Sequence, residues 1–138
     1  MVSSGACGAD LIAQSVAKDR KLRRHVVIPY DTELFKVTSV TDRPGNWGSI
    51  FDDTVKSDPL VTLTNLSLSP DDESAFVVTN EAIISIALAK SNDASSPDRA
   101  PLGVVVWDGA SRGAEDVTEH FRRRCIANGI KIVDVATN

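Results

Sequence analysis

The stretch Val2-Ser-Ser-Gly-Ala-Cys-Gly-Ala-Asp-Leu-Ile-Ala-Gln-Ser-Val-Ala-Lys-Asp-Arg-Lys-Leu-Arg-Arg-His-Val-Val-Ile-Pro-Tyr30 decides the fold class. A short strand-like start meets a turn with two glycines, Gly5 and Gly8. Asp10 to Leu22 then has Leu11, Ile12 and Val16 at helical spacing, which predicts a helix with those three on one face. Basic residues Arg20 to Arg24, interrupted by Leu22, suit the negative end of its dipole. His25 to Ile28 is a β-branched run stopped by Pro29, which predicts a buried strand. Strand, turn, helix, strand is the unit of a parallel sheet.

The pattern continues outward. Tyr30 to Gly48 is less regular, with a turn at Arg43-Pro44-Gly45-Asn46. A short helix is expected from about Gly48 to Val55, where Trp47 and Phe51 share a core-facing side. Leu60 to Leu66 alternates as a strand does. Ser69 reads as an N-cap, Pro70 as the first helical position and Asp71 to Glu73 as an acidic first turn. That helix is expected to run through Ala89, and Ala82 to Ala89 is apolar almost all round, as in a buried helix. Ser91 to Pro101 is a polar surface loop. Leu102 to Trp107 is continuously apolar, as central parallel strands are. A last helix is expected from about Ala114 to Ala127, stopped by Asn128-Gly129, followed by a strand from Lys131 to Ala136. Alternating strands and helices predict one α/β domain with a mostly parallel sheet covered on both faces. In such sheets ligands sit beyond the carboxyl ends of the strands. Ser3 to Asp10, Pro29 to Asn46 and Asp108 to Gly113 are three loops at such ends, and they should converge.

Composition narrows the function. The 138 residues suffice for one core, and 42% apolar with 25% charged residues is a globular balance. The net charge of −4 favours neither nucleic acid nor an anionic membrane. The run Arg122-Arg123-Arg124 lacks interleaved aromatics, so it reads as helix surface. No apolar run reaches the roughly 18 residues of a membrane span. Met1 to Ala9 is not a secretory signal. Two distant cysteines, Cys7 and Cys125, support neither a disulfide framework nor a metal site, which points to a reducing, cytoplasmic compartment.

Two constellations could carry chemistry. At Ser4, Gly5, Ala6, Gly8, Ala9 and Asp10, glycine lets an anion approach the backbone, and a helix N-terminus presents unpaired N–H groups. The same residues also make an ordinary tight turn and helix start. Neither the P-loop lysine nor the complete dinucleotide fingerprint is there. At Trp107, Asp108, Gly109, Ser111, Arg112, Gly113, Glu115 and Asp116, a strand end precedes a helix N-terminus. Arg112 could pair with phosphate oxygens, while the acids could equally just complement the dipole. Cys7 beside a helix start could be activated. However, His25 heads a strand and His120 lies mid-helix, on what reads as a solvated face with Glu119, so a Cys–His pair is disfavoured.

Together these residues resemble the SLOG superfamily, which joins the DNA-processing Smf proteins, the lonely-guy phosphoribohydrolases and nucleotide-sensing domains. Gly5, Gly8 and Asp10 stand at its Gly-x-x-Gly-x-Asp positions. FKVTSVTDRPGNWGSIFD (35–52) looks like the segment after the third strand in a bacterial, sensor-type subgroup. TNEAIISIA (79–87) supplies Asn80 ahead of an apolar helix. PLGVVVWDG (101–109) with Arg112, Gly113 and Asp116 looks like the final strand and loop. The resemblance implies a Rossmann-like three-layer α/β/α sandwich binding a nucleotide or nucleotide derivative. Ser4, Gly5, Ala6, Gly8, Ala9, Asp10, Asn80, Asp108, Gly109, Arg112 and Asp116 would line the cleft, and Thr38, Ser39 and Arg43 would form a lid. No cofactor or metal is obligatory, and Mg²⁺ would enter only with phosphate. The hydrolase branch has Pro-Gly-Gly-x-Gly-Thr-x-x-Glu where this chain has Trp107 to Asp116. The expectation is therefore sensing without turnover, with N-glycosidic hydrolysis through Glu115 or Asp116, or a degenerate domain kept for oligomeric assembly, as alternatives. The family also carries a strand and helix before the Gly-rich turn. Without them the chain is expected to be a piece of a longer protein or to have the gap filled by another element or subunit. The open edge left there predicts a homo-oligomer.

Overall fold

The structure, a computed structural model, describes residues 1–56, 58–92, 100–113 and 116–137. The chain forms two compact units, Met1–Ala75 and Phe76–Asn138. Every strand pair among the described residues is parallel, so the chain has the α/β class read from its sequence.

In the first unit β1 (Val2–Ser3), β2 (Arg24–Ile28) and β3 (Val61–Asn65) form a sheet in the order β1-β2-β3. Parallel neighbours need crossovers. Helix α1 (Ala9–Asp19) links β1 to β2, and α2 (Thr32–Ser39) with α3 (Trp47–Val55) links β2 to β3. Strand β2 is central, and all five of its residues are buried. Val26 and Ile28 meet Leu11, Tyr30, Phe35, Val40 and Phe51 in one core, with Trp47, Ile50 and Val55 packed against it. Burial of each large apolar side chain contributes about 1.5–3 kcal/mol. Arg24 is the exception in β2. Its guanidinium is buried, reaches the Thr54 carbonyl at the end of α3 at 3.5 Å, and faces Asp58 at 3.6 Å. A cation there complements the helix dipole.

Three expectations change in this unit. Tyr30 to Gly48 is not irregular throughout, because α2 occupies much of it. The Asp31 carboxylate accepts the N–H groups of Glu33 and Leu34 at 3.0 Å each, an N-cap hidden behind Pro29-Tyr30. Helix α1 stops at Asp19 rather than Leu22. Lys21 adopts φ 54°, and Leu22 N–H donates to the Ala17 carbonyl at 2.9 Å, a C-terminal cap made without glycine. The buried face of α1 is Leu11, Gln14 and Ala17, whereas Ile12 and Val16 are exposed.

The second unit contains α4 (Ala75–Asn92), β4 (Leu102–Trp107), α5 (Val117–Ala127) and β5 (Lys131–Ala136), with β4 and β5 paired. Ile84, Cys125 and Ile130 form its core, with Leu88, Phe121 and Ile132 against them. Helix α4 begins at Ala75, not at Pro70. Asp71 N–H bonds the Ser69 hydroxyl, and Ser74 N–H bonds the Asp72 carboxylate. These local bonds hold turns in competition with helix. Within α4, Ile83 and Ile84 are buried while Ser85 and Ala89 are exposed, so the helix is not buried all round. Strand β4 also differs from the central strand expected. Gly103 and Val105 are buried, but Leu102, Val104 and Val106 are exposed on the face they share with Val133 and Val135. An uninterrupted apolar run carries no period, so the sequence cannot separate one-sided from two-sided burial. The expected start of α5 at Ala114, and most of the loop from Ser91 to Pro101, lie outside the described residues.

Candidate functional site

The Gly-rich turn joins β1 to α1 at the carboxyl end of the first sheet. Its two glycines serve different ends. A Cβ on Gly5 would stand 3.1 Å from the Phe51 ring and 3.3 Å from Val26, so Gly5 is there for packing. Gly8 has φ 96° and ψ −128°, a conformation that side chains disfavour, with nothing within 4 Å of where a Cβ would be. Gly8 is the N-cap residue of α1 and supplies no side-chain cap. The first N–H groups of a helix have no intrahelical acceptor, so α1 presents donors beside open space. Not every donor proposed from sequence is free. Ala6 N–H bonds the Asp10 carboxyl, and Cys7 N–H donates to the Ser39 carbonyl at 2.9 Å. Burial pushes the Asp10 carboxyl up to about 6, against the opposing effect of the Ala6 bond. Ser4 offers its carbonyl to the Ser3 hydroxyl at 2.7 Å, and Ala9 is exposed at the helix start.

The segment expected as a lid does lie against this turn. Besides the Ser39–Cys7 bond, the Cys7 thiol approaches Asp42 at 3.7 Å. Burial, then Asp42, pushes that thiol up, which opposes any role as a nucleophile. Thr38 closes a short network, with its hydroxyl 2.9 Å from Tyr30 Oη and 3.0 Å from the Leu34 carbonyl. Arg43 is exposed and faces Asp42 at 3.8 Å. Thr38 and Ser39 are thus fixed parts of α2, and Arg43 is an exposed cation paired with Asp42.

The second constellation lies at the carboxyl ends of β4 and β5. Val106, Trp107, Asp108, Ala110, Arg112, Asp116, Thr118 and Thr137 line a polar depression. Its charged groups are paired with each other. Asp108 accepts Ala110 N–H at 3.1 Å and the Arg112 guanidinium at 3.0 Å, and these bonds, Ala110 first, lower its pKa. One oxygen of Asp116 accepts Thr118 and Glu119 N–H at 2.9 and 3.0 Å, and the other accepts Arg112 N–H at 3.1 Å. Asp116 is therefore the N-cap of α5, held below the usual carboxylate range chiefly by the Glu119 bond. A carboxylate so held is a poor proton donor or acceptor near neutral pH. Gly109 has φ 78° in the turn after Asp108. Ser111 donates to the Glu119 carboxylate. Glu115 lies outside the described residues.

Asn80, on α4, donates from Nδ2 to the Val117 carbonyl at 2.8 Å, so it ties α4 to the first turn of α5. His120 is not on a solvated face. Its Nε2 lies 3.5 Å from Glu81 of α4, which also receives Arg124 through Nε at 2.5 Å and Nη2 at 3.0 Å. Arg122 pairs with Asp134, to which Trp107 Nε1 donates at 3.2 Å. Arg123 alone of the arginine run has no ion pair among the described residues. Sequence reading missed Gln14, which is fully buried beneath the first sheet's turn. Its Nε2 donates to Ser3 Oγ at 2.9 Å, and Oε1 has no partner. The available signal was a polar residue on the Leu11–Ala17 stripe.

Among the described residues no cluster of three or more His, Cys, Asp or Glu side chains could hold a metal ion, and no helix is long and apolar enough to cross a membrane. The chain matches no family model, no curated protein and no solved structure.

Proposed function

We propose that this chain is a SLOG-like domain that binds a nucleotide or nucleotide derivative through the first turn of α1 and does not turn it over. The observation that carries the reading is the α1 N-terminus. It lies at the carboxyl end of a parallel strand, has no side-chain cap, and stands beside open space at Gly8. A phosphate suits such donors and the positive end of the dipole. Gly8 and Ala9 would meet the phosphate by backbone, Arg43 would reach it from the neighbouring segment, and Mg²⁺ would enter only with the ligand. Absence of turnover is supported by the state of Asp108 and Asp116, whose carboxylates are held by hydrogen bonds and by Arg112. A cytoplasmic location and a homo-oligomer belong to the same proposal. The latter is supported by β4, an apolar strand without charged residues that among the described residues pairs only with β5.

Calorimetric titration of the intact chain with a nucleotide panel, including ADP-ribose and cyclic nucleotides, tests the proposal. Binding of at least one member without release of its base is the expected result. No heat from any member at millimolar concentration would overturn it.

A further inference from the structure

We draw no further inference here: the strongest candidate, the exposed apolar face of the β4–β5 sheet formed by Leu102, Val104, Val106, Val133 and Val135, carries none because nothing in the structure shows what covers it.

Discussion

Helices α1 and α5 both begin just after the carboxyl end of a parallel strand and a glycine-containing loop, yet their N-termini are in opposite states. At α5 the Asp116 carboxylate occupies the anion position. It takes two N–H groups of the first turn and a third from Arg112, and its pKa falls. At α1 the N-cap is Gly8, which has no side chain. The nearby acid, Asp10, bonds Ala6 instead and is pushed up to about 6. One helix start has its anion built in, and the other has no side-chain cap. Similar loops thus differ in whether the helix start is closed by the protein's own carboxylate.

The largest test of this contrast is Gly8→Val. It forces a β-branched residue into a glycine-only conformation and is expected to cost about 3 kcal/mol. Urea denaturation measures it. A loss under about 0.5 kcal/mol would show that the turn relaxes freely and that Gly8 is not required by its backbone.

Next is Asp10→Asn. The folded pKa of Asp10, about 6, lies above the ordinary value of 3.8. The unfolded chain therefore releases this proton first, and wild-type stability falls as pH rises from about 4 to about 6. The amide keeps an acceptor for Ala6 without the charge. The variant would then be more stable than wild type by up to about 3 kcal/mol at pH 8, and equal to it near pH 3. A pH series of denaturation midpoints reads this, and a variant less stable than wild type at pH 8 would refute the desolvated carboxyl.

Asp116→Ala has the opposite sign. Its lowered pKa means that its contribution is present above the ordinary value and lost as pH falls through the folded one. Loss of the cap is expected to cost about 1 kcal/mol at pH 7. Amide exchange at Thr118 and Glu119 should quicken in the variant. Unchanged exchange there would mean that α5 does not depend on this cap.

The sequence makes β2 and β5 legible because each is a β-branched run bounded by recognisable stops, Pro29 before the next segment and Asn128-Gly129 ahead of Lys131. Helix α2 is obscured because Thr38, Ser39 and Thr41 give it the look of a loop, although Asp31 is a good cap. The pairing of β4 is invisible for another reason, since Leu102 to Trp107 has no polar residue to mark an open face. At the candidate site, Gly8 is readable as a glycine at a helix start. The reason for Gly5 is not, because it depends on Phe51, a residue brought there only by packing of α3. Nor does the spacing of Asp116 distinguish a cap from a catalytic acid; that distinction rests on where its two oxygens point.

The most direct test follows the backbone amides during titration of the isotopically labelled chain with the tightest nucleotide found by calorimetry. The account predicts that Gly8, Ala9 and Leu11 shift with a common saturation curve while Thr118 and Glu119 stay still. Shifts confined to Thr118 and Glu119, with the α1 amides unmoved, would contradict it.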